Sequence, residues 1–543
     1  MSWVIRVAHG ARAKSAAQLS AFLMLFTPLS CRRMSLTPDP DSPTWLKRFW
    51  WLLAAVFIAR VGVMLLFVNG ADLAGDEAYY WDWGRRPDWG YFSKPPMIGW
   101  MMGVIGWLTG NAEWGVRFAA LLLGTATLVV IHRIALVLFD ARTAFLTAVL
   151  VLLTIANAGL NLLLTIDAPL LLCWTLGLLL FWFAAQKPTC NTRWIALTLV
   201  IGLGTLSKQM MLAFPLLMLA FAAVSREDRP LLRNPRLWLT ILAGMAFIIP
   251  VLKWNQEHAW ITLEHTKHHF DTQSLGFGQW IGRTLENVGL QALIYTPVTF
   301  VALVAAMLAA VRHRSKLTRP ALFLLLASAP ALACFALLAL RQRINPNWPA
   351  AFFVPAIVLA AAWMRGGLPS LANPGWQRWS LRVGGAFVII VHLALVIVFT
   401  TNLKVVNKLA SIRGWREAGI EAQKFLDQVP RPEQTFVMVL SHRYHAAQMA
   451  FYMPSHPRSY RWEPSGTPQS QYEVWPGPEE RLGHDALILD PSPGRGLLEN
   501  PVFTAAFEKI EHRGDIRIVL GQQTREFSVY LGTNLKSWEP VRP

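Results

Sequence analysis

Charged residues are scarce in this chain of 543 residues. Only 15% of the residues are Asp, Glu, Lys or Arg, whereas 54% are hydrophobic, and the mean hydropathy is +0.37. So few polar side chains cannot solvate a globule of this length. The composition excludes an ordinary water-soluble protein and predicts that most of the chain lies in lipid.

Cysteine is also rare. The four cysteines, Cys31, Cys173, Cys190 and Cys334, are scattered and lie mostly within or beside apolar runs. This excludes a disulfide framework and a cysteine metal knuckle, and redox chemistry is not indicated. An internal repeat of fixed period is absent too, which weighs against a transporter built from repeats.

Basic residues outnumber acidic ones, 50 to 32, and give a formal net charge of +18. They lie mainly between the apolar runs, for example in Arg226–Arg236, Arg312–Arg319 and Arg365–Arg382, and form no stripe of the kind that binds nucleic acid. We therefore expect no nucleic-acid partner. Because basic loops stay on the cytoplasmic side, these three segments are predicted to be cytoplasmic.

Long apolar runs separated by polar breaks predict about eleven membrane-spanning helices. They lie near 49–68, 115–138, 143–163, 168–186, 194–206, 209–224, 236–254, 287–311, 320–340, 347–364 and 380–400. The apolar run 97–109 is too short to span and fits an interfacial or re-entrant helix. The sequence thus predicts an α-helical polytopic protein of the cell inner membrane, with the lipid bilayer as its partner.

The positive loops also orient the two ends of the chain. Residues 1–48 are expected to be a cytoplasmic tail. Met34 precedes a polar stretch that leads into the first span, so the first 33 residues are either a start-site extension or an ordinary part of this tail. Residues 6–31 have the outline of a signal sequence, which we expect not to be cleaved. The spanning region is 49–402 with a first outer loop at 69–114, and an odd number of spans puts residues 403–543 outside.

Residues 403–543 have a different composition, in which charges, Pro and Gly separate short apolar runs. They predict a small soluble extracytoplasmic α/β domain. Expected strands are Phe436–Leu440, Ala486–Leu489, Ile516–Leu520 and Phe527–Leu531, and expected helices are Arg413–Gln428 and Tyr444–Tyr452.

The first outer loop contains the acid pair Asp76 and Glu77 among Tyr and Trp residues, followed by Lys94 in the segment Tyr91–Pro96. Aromatic residues of this kind anchor at the depth of lipid head groups, where a lipid-linked phosphate would lie. A carboxylate there can act as a general base, and an ammonium can hold a phosphate. A solvated loop with an ordinary aromatic belt is the alternative.

A lone carboxylate, Asp167, interrupts an apolar stretch just before Pro169. An unpaired acid in the hydrocarbon costs about 2.5 to 3.5 kcal/mol, so such residues usually face a cavity and have a function. A helix N-cap is the structural alternative, and both roles can coexist.

Further outer residues have weaker signals. Lys208 is a phosphate ligand or a lysine that snorkels at a helix end, and Arg341 and Arg343 can neutralise a leaving phosphate. The cluster from Glu264 to His269 has imidazoles spaced for a metal, although solvated loop residues are the commoner case. No obligatory cofactor is expected, and a divalent metal is an alternative only.

These motifs together resemble the GT-C fold membrane glycosyltransferases of family 39. The resemblance lies in Asp-Glu-Ala-Tyr-Tyr-Trp at 76–81, Tyr-Phe-x-Lys-Pro-Pro at 91–96, Thr-x-Asp-Ala-Pro at 165–169, Asn-Gln-Glu-His-Ala-Trp at 255–260, Asn-Pro-Asn-Trp-Pro at 345–349, and the tail motifs at 443–445, 450–454 and 471–476. It covers nearly the whole chain from about residue 50.

The resemblance implies an inverting transfer of a sugar from a polyprenyl-phosphate carrier to an envelope acceptor, which is lipid A, a glycan or a protein. It implies catalytic roles for Asp76, Glu77 and Asp167 and a carrier-phosphate contact for Lys94. Lys208, Arg341 and Arg343 join Lys94 as predicted phosphate ligands because of their expected outer position and charge. We also expect a substrate pocket that contains Tyr79, Tyr80, Tyr91, His258 and Tyr444, all of which lie within the quoted motifs. Relatives that modify lipid A tend to have an acid before the lysine where this chain has Ser93, which weighs against a metal there and against lipid A as acceptor.

Two other functions share these features. A transporter or flippase of lipid-linked saccharides would also have many spans, an intramembrane acid and a basic cavity. A polymerase or ligase of surface polysaccharide would use similar donors. The long first loop and the tail, both predicted on the side of the acids, favour the transferase over the flippase.

Overall fold

The computed structural model describes residues 41–68, 71–268, 276–368, 374–401, 412–491, 498, 500–520 and 523–539. The predictions for residues 1–40 lie outside this part of the chain. The helices up to residue 401 are α1 Ser42–Val68, α2 Gly75–Gly84, α3 Met97–Thr109, α4 Glu113–Leu138, α5 Ala141–Leu152, α6 Ile155–Leu162, α7 Asp167–Gln186, α8 Asn191–Ser207, α9 Phe214–Val224, α10 Pro235–Ala246, α11 Ile249–Glu257, α12 Ile261–His268, α13 Phe277–Ile294, α14 Pro297–Arg312, α15 Arg319–Ala339, α16 Ala350–Met364 and α17 Pro374–Thr401.

Five stretches of helix in the described residues are long and apolar enough to cross a membrane: α1, α4, α7, the pair α10 and α11, and α15. Two bent pairs, α5 with α6 and α13 with α14, raise the number to as many as seven. The protein is therefore a multi-pass membrane protein. The further spans among the predicted eleven stay a prediction.

Two predicted spans are broken helices. The run 143–163 bends by 72° between α5 and α6, and the run 287–311 lies in a pair that bends by 103° between α13 and α14. At the second break Thr296 has φ 61°, and Pro297 follows as the first residue of α14. Proline lacks an N–H and disfavours helical backbone in the residue before it, so the helix cannot continue through this point.

The short apolar run 97–109 is the helix α3, which has 13 residues. Pro95 and Pro96 precede it, and it ends at Gly110, whose φ of 62° is left-handed. The α3 helix therefore sits between the first-loop helix α2 and the long helix α4, as a short connection of interfacial length.

The last part of the chain, residues 412–539, is called the tail below. It contains a five-stranded sheet with the order β2-β1-β3-β5-β4. Strand β1 is parallel to β2 and β3, β5 is antiparallel to β3, and β4 pairs with β5 as a long hairpin. Its elements are α18 Trp415–Asp427, β1 Thr435–Val439, α19 Arg443–Tyr452, β2 Ser459–Arg461, α20 Gln471–Val474, β3 Asp485–Asp490, α21 Pro501–Ala505, β4 Phe507–Leu520 and β5 Gln523–Leu535.

One hydrophobic core joins the first loop to the tail. Leu73 and Trp81 of the loop pack in the same cluster as Val437, Leu487 and Phe527 of the sheet, and all five are at most 2% exposed. The other face of the sheet is covered by a separate apolar cluster of the tail. Because burial of apolar surface drives association, the tail is fixed against the first loop.

Candidate active site

The helix α2 carries the acid pair of the first loop. Glu77 is 0% exposed, and its Oε2 accepts hydrogen bonds from the Ala74 N–H at 2.9 Å and from Arg117 Nη1 at 2.6 Å. Its Oε1 accepts from the Leu164 N–H at 2.9 Å. A buried carboxylate needs such partners. Glu77 therefore joins α2 to α4 and to the segment before α7, a bracing position that differs from the catalytic role expected for it.

Asp167 is the first residue of α7 and is nearly buried, at 9% exposed. Its Oδ1 accepts from Lys208 Nζ at 2.7 Å, and its Oδ2 accepts from Asn347 Nδ2 at 2.6 Å. The charge of Lys208 is thus neutralised by Asp167. Asn347 belongs to the Asn-Pro-Asn-Trp-Pro motif, to which sequence reasoning gave no specific role.

Asp76 receives its hydrogen bond from the tail. The Tyr444 hydroxyl donates to Asp76 Oδ1 at 2.8 Å. A Cβ atom on Gly75 would lie 2.5 Å from Tyr444 Cγ, so the ring can approach this closely only because residue 75 is glycine. Burial, and then the charge of Asp76, raise the pKa of Tyr444 to about 12. The hydroxyl therefore keeps its proton at neutral pH and serves as a donor.

Lys94 is presented by a tight turn. The Tyr91 N–H donates to the Lys94 carbonyl at 3.1 Å, and the Lys94 N–H donates to the Tyr91 carbonyl at 3.3 Å. The Tyr91 ring stacks on Trp83 at 4.4 Å, and Thr262 Oγ1 donates to the Tyr91 carbonyl at 3.0 Å. The turn is held on two sides, so the backbone of Lys94 is fixed.

The Lys94 ammonium makes no hydrogen bond or ion pair within the described part of the chain. Burial lowers the pKa of Lys94, Lys208 and Arg443 lower it further, and Asp76 and Asp167 raise it. These four charged groups are therefore close enough to act on Lys94. Two carboxylates and two further cations thus act on Lys94 electrostatically, and an ammonium without a hydrogen-bond partner in the described residues can bind an anion.

Tyr80 lies among the same groups and is 6% exposed. Burial raises the pKa of Tyr80 well above its usual value, and Asp76, Tyr444 and Asp167 raise it further. Tyr80 thus stays neutral at physiological pH. Tyr80 and Tyr444 are the two residues of the predicted substrate pocket that the structure brings to the carboxylates.

The other three predicted pocket residues pack behind the site. Tyr79 is 2% exposed, and its hydroxyl accepts from the Gln471 N–H at 2.5 Å. Tyr91 is fully buried under the lysine turn. His258 stacks on Trp254 at 4.0 Å, and its Nδ1 is hydrogen-bonded to the Trp254 carbonyl at 2.7 Å. These residues fix the walls, and they do not line the space between the acids.

Arg341 and Arg343 lie on the exposed surface. Arg343 forms an ion pair with Glu286 at 2.6 Å in which both side chains are exposed, and the Arg341 carbonyl accepts from Arg283. In the described residues no contact joins either arginine to Lys94 or to the two aspartates. The structure does not bring these two predicted phosphate ligands to the site.

The predicted metal alternative falls mostly on a peripheral helix. Lys267 pairs with Glu264 at 2.5 Å on the exposed face of α12. His269 and the side chain of His268 lie outside the described residues. Within the described ranges there is no group of three or more His, Cys, Asp or Glu side chains that could hold a metal ion.

Sequence reasoning missed three residues that position the site. Arg117 is a charged residue inside the span α4, a signal that could have revealed its partner. Gln471 joins two motifs, because its Oε1 accepts from the Phe92 N–H at 2.6 Å while its own N–H contacts Tyr79. Arg443 stands in a motif but received no role, and no sequence signal indicated that its charge acts on Lys94.

Comparisons with known proteins identify related sequences. The family model of dolichyl-phosphate-mannose-protein mannosyltransferases matches residues 93–254. The chain is 27% identical over 426 residues to a lipid A galacturonosyltransferase of Rhizobium johnstonii, which covers 76% of this chain and 84% of that relative. It is also 27% identical over 182 residues to an undecaprenyl phosphate-alpha-4-amino-4-deoxy-L-arabinose arabinosyl transferase of Pectobacterium carotovorum, across 30% of this chain and 33% of that relative.

The fold is shared with a solved membrane protein. The crystal structure of ArnT from Cupriavidus metallidurans bound to undecaprenyl phosphate has a TM-score of 0.58 and 18% identity, and it covers 89% of this chain and 98% of that chain. The apo state of the same protein has a TM-score of 0.57. At this identity the likeness establishes a common architecture of membrane helices and a small sheet.

Proposed function

We propose that this chain, whose likeness to the GT-C membrane glycosyltransferases of family 39 is shown by its sequence and fold, transfers a sugar from a polyprenyl-phosphate carrier to lipid A. The names of its two curated relatives support this reaction class, since both describe transfer of a sugar and one names an undecaprenyl-phosphate donor. The chemistry would take place on the outer face of the inner membrane, as the positive loops predict.

The observation that carries the proposal is the grouping of Asp76, Asp167 and Lys94. Asp76 has one oxygen held by Tyr444 and the other without a partner in the described residues. Asp167 is neutralised by Lys208, whereas no described carboxylate forms an ion pair with Lys94. Among the described residues an unpaired carboxylate oxygen and an unpaired ammonium thus belong to groups that act on each other electrostatically, which matches the two needs of glycosyl transfer from a phosphate.

The reaction assigns one task to each group. The oxygen of an acceptor hydroxyl attacks the anomeric carbon, and the bond from that carbon to the phosphate oxygen breaks with its electron pair left on the phosphate. Asp76 takes the hydroxyl proton as general base. Lys94 stabilises the negative charge that develops on the leaving phosphate. Attack opposite the leaving group inverts the anomeric centre.

Asp167 and Glu77 have supporting tasks in this scheme. The ion pair of Asp167 with Lys208 fixes the start of α7 beside the site. Glu77 holds α2 in place through Arg117, and so fixes the direction in which the neighbouring Asp76 points. Neither carboxylate needs to exchange a proton with the substrate.

Lipid A is the acceptor that the relatives favour over a protein or another glycan. The galacturonosyltransferase of Rhizobium johnstonii covers most of this chain, and lipid A is in its name. This outweighs Ser93, the departure from the pattern of lipid A enzymes in the lysine turn. The sugar would be a uronic acid or an amino sugar of the type that the two relatives transfer.

Purified protein in detergent tests the proposal, because a micelle has no sides. It should be mixed with lipid A and with undecaprenyl-phosphate-linked galacturonic acid or 4-amino-4-deoxy-arabinose, and the lipid A product followed by mass spectrometry. Product formation supports a transferase. A protein that yields no product with either donor, but moves the donor across a vesicle membrane, would be the flippase instead.

The variant Asp76→Asn identifies the base. It should lower the transfer rate by about 100- to 10,000-fold, the usual contribution of general base catalysis. Asp427→Asn, an exposed change of the same kind on α18, should leave the rate unchanged. Wild-type activity in Asp76→Asn would remove the base assignment.

A further inference from the structure

The tail brings a third cation to the site. Arg443 is the first residue of α19, a helix that packs against α2 and whose second residue is Tyr444, the partner of Asp76. Its position is therefore set by the same contact that sets Asp76. No carboxylate lies within ion-pair distance of its guanidinium in the described residues.

The Arg443 guanidinium is held mainly by aromatic rings, and its hydrogen bonds contribute little. The group lies over the Tyr444 ring at 4.9 Å and over the Tyr79 ring at 5.5 Å. Among the described residues it donates two hydrogen bonds, to the Gln469 carbonyl and the Tyr444 hydroxyl, and both are 3.5 Å long. The usual length is about 2.9 Å, so these bonds are weak.

One donor of Arg443 has no acceptor in the described part of the chain. The Nε atom is buried and has no hydrogen-bond partner among the described residues. A buried donor without an acceptor costs free energy, and a bound ligand that supplies an acceptor removes this cost. The planar fork of a stacked guanidinium is suited to the oxygens of a phosphate.

Arg443 interacts electrostatically with the same group of residues as Lys94. Its charge affects Lys94 and Tyr80, and Asp76 in turn affects Arg443. Since Asp167 and Lys208 neutralise each other, the charges that remain are the cations Lys94 and Arg443 and the carboxylate of Asp76. The excess positive charge fits an anion.

We propose that Arg443, supplied by the tail, is a second ligand of the donor phosphate and faces Lys94 across it. This inference rests on the function proposed above. The donor is a phosphodiester with one negative charge, and the product is a phosphomonoester with a charge of about −1.5 to −2 at neutral pH. A second cation therefore stabilises the charge that appears as the bond to the sugar breaks.

Binding of undecaprenyl phosphate to the purified full-length protein in detergent tests the inference without any sugar or acceptor. Isothermal titration calorimetry should compare wild type, Arg443→Gln and Arg517→Gln, with the uncharged undecaprenol as second probe. Arg517 lies on the exposed hairpin and pairs with Glu526, so its variant is the matched control.

We expect Arg443→Gln to weaken undecaprenyl phosphate binding by about 10- to 100-fold, the range for a hydrogen bond to a charged group, with undecaprenol unaffected. Arg517→Gln should bind as wild type. In turnover, the donor KM should rise in Arg443→Gln while the lipid A KM stays constant. Arg443→Lys, which keeps the charge but loses the planar fork, should recover part of the affinity. It takes the place of Arg443→Gln in the comparison with wild type if Arg443→Gln does not fold.

Several results would overturn the assignment. Equal undecaprenyl phosphate affinity in wild type and Arg443→Gln removes Arg443 as a ligand. An equal loss for phosphate and prenol shows a packing role, and a loss confined to lipid A moves Arg443 to the acceptor. Failure of the wild type to bind undecaprenyl phosphate is a separate result, since it would overturn the proposed function itself.

Discussion

Replacing Gly75 by alanine should push Tyr444 away from Asp76 without altering any group that takes part in the chemistry. An added Cβ atom would lie 2.5 Å from Tyr444 Cγ and 2.7 Å from its Cβ and Cδ2. Non-bonded carbon atoms rest at about 3.5 to 4.0 Å, so the ring has to retreat by about 1 Å. The hydroxyl that now donates to Asp76 Oδ1 at 2.8 Å would then lie beyond the usual range of about 2.5 to 3.0 Å.

The expected result of Gly75→Ala is a 10- to 100-fold lower transfer rate, at about 1 Å of misplacement and one lost hydrogen bond to a charged group. Overpacking should also cost about 1 to 3 kcal/mol of stability, partly offset by the gain of about 0.5 to 1 kcal/mol from removing a helical glycine. Initial rates at saturating donor and acceptor, together with melting temperatures in detergent, measure the two effects.

Two controls make this prediction specific. Gly278→Ala, near the start of α13, adds a Cβ that meets no atom within 4 Å, and should leave the rate unchanged. In a Tyr444→Phe background, which already lacks the hydroxyl, Gly75→Ala should cost much less, because the two changes act on one contact. Full activity of Gly75→Ala with an unchanged melting temperature would refute the reasoning.

Two further predictions concern stability. Glu77→Gln should destabilise the protein by about 3 kcal/mol, because the buried Arg117 loses its charged partner; thermal unfolding measures this, and an unchanged melting temperature would contradict the bracing role. Burial raises the pKa of Asp72 to about 6, from about 4 in the unfolded chain, so the folded chain holds a proton that the unfolded chain releases between these values. The free energy of unfolding should therefore fall by up to about 3 kcal/mol as the pH rises from about 4 to about 6. The variant Asp72→Asn should abolish this fall. The same change of melting temperature with pH in wild type and variant would contradict the prediction.

The membrane part was predictable because hydropathy is a local property of the chain. Apolar runs gave the long helices α4, α7 and α15 close to their bounds. The break before Pro297 was missed, although proline marks it, because the run stays apolar through the bend. Hydropathy reports what the side chains prefer and says little of where the backbone turns.

The two neighbouring acids show where the sequence reaches its limit. Asp76 and Glu77 look equivalent in a motif, but successive residues of a helix point about 100° apart. Asp76 therefore meets Tyr444 and the open site, whereas Glu77 turns inward to Arg117. Which acid faces inward depends on what packs against α2, and the motif does not contain this information.

Contacts between the first loop and the tail were also beyond the sequence. Tyr444 and Asp76 are 368 residues apart, and no periodicity joins such distant positions. Four strands of the tail were recognisable from their apolar runs, whereas the short strand β2 was missed. Strands β4 and β5 extend two of the predicted segments into a long hairpin. No sequence pattern indicated that these strands pack against α2.

The core that the loop and the tail share sets a rule for anyone who wishes to re-engineer this protein. Val437, Leu487 and Phe527 pack with Trp81 and Leu73 in one buried cluster. A tail produced by itself would therefore expose an apolar face of its sheet to water and aggregate. A tail taken from a related protein would meet side chains of the first loop that are shaped for a different partner. Chimeras of such proteins have to exchange the first loop and the tail together.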